Sequence, residues 1–275
     1  MCIYKKYIEI KSSYYQNNKL NIESENFGYF ISRYIYRPLS LFLTIPFAVL
    51  NISPNTVTWL SLSVGVIGIM LLLCGTKSLM LTGSLLIFFA GILDYIDGNL
   101  ARLYKLNNYY GKFIDGFVDT IIIAFIPIAL GFGSYNAEDK ILIYFSDSNK
   151  LKIVLIFLSS YTTYIILLNQ YLYYRYHFTL LDAMKHNRKP QNINIKINNQ
   201  NSVVRLLFKK IINFIKSCLL FESFFMMFGI VLFVLLDVPS LYIIIRLVSS
   251  TVQFIIDSYY IFRDAPRILN IKRSY

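Results

Sequence analysis

Long apolar stretches dominate the chain and are separated by short polar connections. Each stretch is close to the 20 or so residues that an α-helix needs to cross the hydrocarbon core of a bilayer, which is roughly 30 Å thick. The pattern predicts an all-α, multi-pass integral membrane bundle of about six transmembrane helices. We place the spans near 56–74, 79–101, 113–133, 151–172, 217–236 and 239–261.

Two further segments have the mixed pattern of helices that lie on a membrane surface. From Phe30 to Leu50 the apolar residues are interrupted by arginines and by Pro38, which predicts an amphipathic helix on the cytoplasmic leaflet. Residues 204–216 place large apolar side chains on one helical face and lysines largely elsewhere, which predicts a second surface helix. Its basic face is expected to contact anionic lipid headgroups.

The polar segments suggest the domain organisation. Residues 1–28 form a polar tail without the apolar core of a signal peptide, so the N-terminus is expected to stay in the cytoplasm. Residues 29–275 form one membrane domain, in which 174–203 is a polar cytoplasmic loop and the whole of 174–216 is a cytoplasmic insertion. No repeat or nucleotide-binding glycine-rich loop is found.

A turn precedes the first predicted span. Pro54 is expected to break the preceding helix, and Asn55 or Thr56 is available as the N-cap of the span. Thr56 is adequately explained as a cap, whereas Asn55 either caps the helix or forms a hydrogen bond within a functional site.

Composition supports a membrane protein and excludes other classes. Hydrophobic residues make up 56% of the chain and the mean hydropathy is +0.52, outside the range of soluble domains. The three cysteines are far apart, so neither a disulfide framework nor a zinc site is expected.

The net charge of +12 fits either nucleic-acid binding or basic cytoplasmic loops. Of the 27 Lys and Arg residues, 22 lie in segments that the six-span topology places in the cytoplasm. This is the positive-inside distribution of a membrane protein. Nucleic acid is therefore not an expected partner.

A cluster of acidic and small residues spans the second and third predicted helices. It reads D-x2-D-G-x2-A-R-x8-G-x3-D-x3-D, from Asp94 to Asp119. Its fixed positions are Asp94, Asp97, Gly98, Ala101, Arg102, Gly111, Asp115 and Asp119.

Helical spacing gives this motif a geometry. Asp94 and Asp97 are three residues apart, and Asp115 and Asp119 are four apart, so each pair shares one helix face. The short connection, residues 103–110, makes the two spans antiparallel neighbours. The four carboxylates are expected to converge on one site at the cytoplasmic boundary.

Four like charges in one place need a cationic partner. Oxygen ligands without His or Cys favour Mg²⁺ or Mn²⁺, and a pair of ions is expected. Such ions bind through a few carboxylates together with substrate phosphates, so a diphosphate substrate is implied. The alternative is a transporter that uses the acids to carry ions or protons.

The other motif residues have two interpretations each. Gly98, Ala101 and Gly111 either allow close helix packing or leave room for a nucleotide near the backbone. Arg102 is either a positive-inside anchor or a side chain that binds phosphate or pairs with a carboxylate.

All eight positions match the motif of the CDP-alcohol phosphatidyltransferase family, which the chain resembles over about residues 30–133. The segment Ser53–Thr58 is similar to the Pro-Asn-x-x-Thr sequence at the start of the family's first span, and an amphipathic helix before it is also typical.

The resemblance implies a function and roles for the motif residues. The enzyme would transfer a phosphatidyl or other substituted phosphate group from a CDP-alcohol, CDP-diacylglycerol in our interpretation, to a hydroxyl acceptor in phospholipid synthesis, and would release CMP. A homodimer would be usual for the family. Metal would be bound by Asp94, Asp97, Asp115 and Asp119, with Asp119 as the general base. The CDP site would be lined by Gly98, Ala101, Arg102 and Gly111.

The acceptor stays open at this point. Residues 31–40 resemble family members that use inositol phosphate or related polar acceptors, over a short segment only. Arg246 is the one basic residue deep in a predicted span, and Glu222 is the only acid in the fifth. The two either pair with each other, or Arg246 binds an acceptor phosphate.

Overall fold

The structure is a computed structural model that describes residues 32–106, 109–137, 139–143, 148–185 and 221–269. A π-helical turn, Ser32–Tyr36, is followed by eight α-helices within this part of the chain. They are α1 (Arg37–Val49), α2 (Pro54–Leu73), α3 (Lys77–Leu103), α4 (Tyr109–Asn136), α5 (Lys140–Ile143), α6 (Ser148–Lys185), α7 (Phe221–Leu235) and α8 (Pro239–Leu269).

The predicted all-α membrane bundle is confirmed. Five described helices, α2, α3, α4, α6 and α8, are long and apolar enough to cross a membrane, and each overlaps a predicted span. The predicted span 217–236 coincides with α7, whose described part has 15 residues. Residues 217–220 lie outside the described residues, as do the N-terminal tail, 1–28, and the predicted surface helix, 204–216.

Helix α1 occupies the segment predicted as an amphipathic helix, and its hydroxyl side chains lie inside the bundle. The only hydroxyl groups on α1, those of Ser40 and Thr44, are buried against α3, whereas Phe42 and the other exposed side chains of the helix are apolar. The hydroxyl side chains of α1 therefore face the bundle, and the arginines of the predicted amphipathic segment lie before or at the first helical residue.

Helix α2 begins two positions before the predicted span 56–74. Ser53 is the N-cap, and its Oγ accepts a hydrogen bond from the backbone N–H of Thr56 at 3.2 Å. Pro54 takes the first helical position, where its missing N–H costs nothing. Asn55 and Thr56 are consequently inside the helix, and neither is the cap.

Helix α2 is the centre of the arrangement that positions the acidic motif. It packs along both α3 and α4, whereas α3 and α4 barely touch each other. The contact with α3 is close because Gly68 and Gly83 face each other; a Cβ at Gly68 would lie 2.8 Å from the carbonyl oxygen of Gly83. The motif helices are thus antiparallel, as predicted, but α2 rather than direct packing holds them together.

The remaining helices close the bundle. Helices α4, α6 and α8 pack on one another, α7 lies against α3 and α8, and α1 lies against α3. We call the end where α3 finishes and α4 begins the acidic end, and the end where α2 finishes and α3 begins the opposite end.

Helix α6 corrects the predicted loop. The sequence analysis began the polar cytoplasmic loop at residue 174, but α6 continues to Lys185. Residues 174–185 contain neither Gly nor Pro and are rich in Leu, Met, Ala and aromatic residues, so nothing in them ends a helix. Any loop starts after this point, outside the described residues.

Candidate active site

Three of the four motif carboxylates form one compact group. Asp94 and Asp97 lie within the last three turns of α3, and Asp115 lies near the start of α4. One oxygen from each of these three residues lies within 4.8 Å of the others. The carboxyl group of Asp94 interacts with that of Asp115, so the group joins α3 and α4.

Asp119 lies one helical turn further along α4. It is not part of the compact group, yet its charge interacts with those of the three other carboxylates. The prediction that four acids converge is therefore realised as a group of three with the fourth at its side.

Among the described residues, positively charged side chains do little to neutralise the four carboxylates. In the part of the chain that the structure describes, no Lys or Arg nitrogen lies within ion-pair distance of any of the four carboxylates. Asp97 is only 6% exposed. Buried, closely spaced carboxylates without a cation are strongly unfavourable, so the donor set fits a hard divalent cation such as Mg²⁺.

Thr58 supports one of these acids. Its Oγ1 donates a hydrogen bond of 2.5 Å to Oδ2 of Asp97, and both side chains are buried. Thr58 belongs to the Pro-Asn-x-x-Thr segment, but the sequence predicted no contact for it. Only the packing of α2 on α3 brings these two residues together.

Arg102 and Gly98 lie side by side on α3. The guanidinium group folds back along the helix over Gly98, where a Cβ would come within 3.4 Å of Nη2. Nη2 also donates a hydrogen bond of 2.8 Å to Oδ1 of Asn99. Arg102 is therefore in contact with the Gly98 position and is held at the acidic end of the bundle rather than extended away from it.

Gly111 and Asn55 face each other across the α2–α4 contact. A Cβ at Gly111 would lie 3.4 Å from Oδ1 of Asn55 and would meet no other atom within 4 Å. Asn55 is thus placed at the first turns of α4, close to the motif, and not at the N-cap of α2. Ala101 is half-buried one residue before Arg102.

Tyr174 is a residue of this region that the sequence analysis missed. Its hydroxyl lies over Gly116, where any Cβ would overlap it, and is within hydrogen-bond reach of Thr120. The charges of Asp115 and Asp119 act on the same hydroxyl. Only the packing of α6 on α4 could have identified it.

A second polar group lies between α6 and α8. Asn169 Nδ2 donates to Asp257 at 3.1 Å, and Gln253 Nε2 lies 2.8 and 2.9 Å from its two carboxylate oxygens. Arg246 lies on the same helix, nearer its start, and is 2% exposed. The side chain of Glu222 is outside the described residues, so its predicted pairing with Arg246 is untested.

A bundle of apolar helices with carboxylates at one end that have no Lys or Arg partner among the described residues fits the class of membrane enzymes that act on metal-bound phosphates. The sequence model of one family, CDP-alcohol phosphatidyltransferase, matches residues 51–252, so the chain belongs to this family. No curated protein sequence matches the chain.

Membership confirms the resemblance predicted from the motif. The protein is a phosphotransferase of the membrane that transfers a phosphate-linked alcohol group from a CDP-alcohol to an alcohol acceptor. The acidic cluster can hold a divalent metal, which this family uses.

Proposed function

We propose that the protein transfers the phosphatidyl group of CDP-diacylglycerol to a hydroxyl acceptor, with Mg²⁺ or Mn²⁺, and releases CMP in phospholipid biosynthesis. The observation that carries the proposal is the group of carboxylates from two helices that barely touch, with one oxygen from each of three acids within 4.8 Å of the others. Carboxylates that meet where two helices barely pack suit a metal-bound diphosphate better than they suit helix packing.

The motif carboxylates would hold the metal. Asp94, Asp97 and Asp115 supply the compact ligand set, and Asp119 completes it, with two ions expected for four acids. When bound, the ions neutralise charge that develops on the diphosphate during displacement at phosphorus. Thr58 donates to Oδ2 of Asp97, which fixes the orientation of that carboxylate.

Asp119 is proposed as the general base. A carboxylate in this role must accept the proton of the acceptor hydroxyl while the oxygen attacks phosphorus. Asp119 suits this task because it lies beside the compact group rather than within it, which leaves one of its oxygens available to an acceptor. The C–O–P link to the acceptor forms as the bond to the CMP leaving group breaks.

The donor would lie along the small residues of the motif. Gly98, Ala101 and Gly111 leave room for the CDP group near the backbone, and Arg102 binds a phosphate of the donor. Support comes from the open space at Gly111 and from the guanidinium group that is held over Gly98.

The topology and assembly are also proposed. Basic residues concentrate in the segments that join the spans at the acidic end, so we place the active site on the cytoplasmic side, in one membrane domain formed by residues 29–275. The polar tail, 1–28, and the residues after α6 would face the same side. We expect a homodimer in lipid.

The test uses purified full-length protein in lipid nanodiscs with CDP-diacylglycerol and separate acceptors, namely glycerol phosphate, inositol phosphate, serine and diacylglycerol. We expect release of CMP and formation of one phospholipid product with Mg²⁺ or Mn²⁺, and none with EDTA. Asp119→Asn protein, which retains the fold, is the matched control.

Two results would change the proposal. Turnover with a CDP-linked polar headgroup but not with CDP-diacylglycerol would retain the reaction and replace the donor by that of a headgroup phosphotransferase. No CMP from any CDP-alcohol, together with ion flux in liposomes, would favour a transporter that uses the acids.

A further inference from the structure

Asn99 occupies an unusual position for an amide. It lies inside α3, within the acidic motif, and is only 4% exposed. Asparagine is unfavourable in a helix interior, and an apolar residue would pack well in a membrane bundle. Yet every polar group of this side chain has a partner, so the site is built around it.

Two hydroxyl groups of α1 bind the amide nitrogen. Nδ2 of Asn99 donates to Oγ of Ser40 at 3.3 Å and to Oγ1 of Thr44 at 3.2 Å. Both partners are at most 1% exposed. These bonds cross between α1 and α3, over a separation of more than 50 residues in the chain.

The direction of these bonds is fixed. Ser40 Oγ donates its own proton to the carbonyl oxygen of Arg37 at 3.1 Å, and Thr44 Oγ1 donates to the carbonyl oxygen of Ser40 at 2.6 Å. Each hydroxyl therefore has only lone pairs left for Asn99, which must present its NH₂ group to them. The carbonyl oxygen of the amide is then forced to the other side, toward Arg102.

Arg102 is the group that uses this oxygen. Its Nη2 donates to Oδ1 of Asn99 at 2.8 Å, and the guanidinium group lies over Gly98. A long basic side chain at the end of a transmembrane helix otherwise extends toward the headgroups and water. The bond to Asn99 opposes this extension and holds the guanidinium group beside Gly98 at the acidic end.

We propose that Asn99 is a positioning residue that holds the guanidinium group of Arg102 in the donor phosphate site, and that α1 orients Asn99 through Ser40 and Thr44. This inference rests on the proposed function, because it takes the ligand of Arg102 to be a phosphate of the CDP-alcohol. The orientation of Asn99 by Ser40 and Thr44 makes α1 a structural part of the donor site, although α1 lies before the acidic motif in the chain.

The test compares Asn99→Leu with the wild type in nanodiscs. Leucine has the same branching and number of side-chain heavy atoms as asparagine but cannot accept a hydrogen bond from Arg102. We expect the KM for CDP-diacylglycerol to rise about tenfold, because a hydrogen bond to a charged group is lost. The KM for the acceptor should stay within about twofold. Inhibition by CDP should weaken about tenfold while inhibition by cytidine, which has no phosphate, should not change.

A double-mutant cycle separates positioning from a general loss of structure. In an Arg102→Gln background, Asn99→Leu should have no further effect on CDP affinity, because the residue acts only through the arginine. If Asn99→Leu weakens CDP equally in both backgrounds, or leaves CDP affinity unchanged in the wild-type background, the proposal is wrong.

Further variants test the inference without substituting Asn99. Ser40→Ala combined with Thr44→Val should raise the donor KM by about threefold, because the amide is then free to turn, and this pair tests the inference should Asn99→Leu not fold. Ser61→Ala is the matched control, since it removes one buried hydrogen bond, of 2.9 Å to the carbonyl oxygen of Ala90, far from Arg102. It should lower thermal stability without changing the donor KM.

The failure of this inference differs from the failure of the proposed function. Wild-type protein that releases no CMP from any CDP-alcohol contradicts the proposed function. Binding of CDP in the presence of Mg²⁺, measured by calorimetry on the same variants, then tests Asn99. An unchanged dissociation constant in Asn99→Leu overturns the positioning role, and a tenfold increase that vanishes in the Arg102→Gln background supports it.

Discussion

Aspartates at the two ends of the bundle differ in the hydrogen bonds and ion pairs that the protein gives them. At the opposite end, Asp139 is 1% exposed and accepts hydrogen bonds from the backbone N–H groups of Ile141 at 2.9 Å and Ser240 at 2.8 Å. Asp237 pairs there with Lys77 at 2.6 Å and with Lys140 at 3.3 Å. At the acidic end, four carboxylates lie together without a Lys or Arg partner among the described residues.

This difference separates stability from function. A carboxylate with its hydrogen bonds and cations supplied by the protein stabilises the fold and offers nothing to a ligand. Carboxylates left uncompensated destabilise the protein alone and favour binding of a divalent cation. Two predicted effects on activity and then three on stability test this contrast, each set in order of decreasing size.

Asp119→Asn should reduce kcat about a thousandfold, since general bases contribute roughly 10² to 10⁴ in rate. The amide has the same shape, so the dissociation constant of CDP should change little. CMP release and calorimetric binding of CDP measure the two quantities. Near-normal turnover would show that Asp119 is not the base.

Thr58→Val should weaken Mg²⁺ activation by about tenfold, since groups that orient metal ligands usually contribute 10- to 100-fold in affinity. Valine retains the shape of threonine but leaves Oδ2 of Asp97 without its donor. Rate as a function of Mg²⁺ concentration gives the activation constant. The control is Ser63→Ala, whose hydroxyl bonds only the carbonyl oxygen of Trp59 in its own helix. An unchanged constant in Thr58→Val would separate this bond from metal binding.

Asp139→Asn should lower the free energy of unfolding by about 2 kcal/mol, because it replaces an acceptor by a donor and leaves a buried backbone N–H unpaired. The kcat of the folded fraction and its Mg²⁺ dependence should stay normal. Thermal unfolding followed by activity assays below the transition checks both statements. A large loss of kcat at unchanged stability would remove the distinction between the two ends.

Asp115→Asn should have the opposite effect on stability. In EDTA we expect this variant to be more stable than the wild type, by on the order of 1 kcal/mol, because one of the clustered like charges is removed. Mg²⁺ should raise the unfolding temperature of the wild type and not that of the variant. A variant that is less stable than the wild type in EDTA would show that the carboxylates are compensated by other means.

Asp237 should give the smallest effect. The hydrogen bond from the Lys77 ammonium group is the main cause that lowers the pKa of Asp237 below its ordinary value of 3.8. A lowered pKa contributes stability that is present above the ordinary value and is lost progressively as the pH falls through the pKa of the folded protein. Asp237→Asn should therefore reduce thermal stability slightly at pH 7 and less at about pH 3. High salt should reduce the difference at pH 7, since the pair is exposed. Equal destabilisation at both pH values would rule out the ion pair as its cause.

The sequence predicted the helices and the motif because both depend on local properties. Span length and hydropathy follow from the thickness of the bilayer, and five spans are confirmed. Helical periodicity placed Asp94 with Asp97 and Asp115 with Asp119, and the short connection brought the two pairs to one end. The errors are also local: the N-cap of α2 and the end of α6 depend on single residues that several patterns fit.

Contacts between helices that are distant in the chain could not be predicted. Hydropathy indicates that a helix crosses the membrane but not which neighbour contacts each residue, because an apolar side chain packs equally well against lipid and against another apolar helix. The sequence therefore assigned no contact to Thr58, Asn99 or Tyr174. Their hydroxyl and amide groups matter because of the partners that α1, α3 and α4 present to them.

The sequence by itself determined that this chain is a helical membrane protein with four carboxylates at one end, since spacing along a helix fixes which face a residue occupies. Only the tertiary structure decided that α3 and α4 are held together through α2 rather than by direct packing, and that three acids meet while Asp119 lies beside them. The reason is physical: periodicity acts within one helix, whereas the distance between carboxylates on two helices depends on the side chains that pack between them.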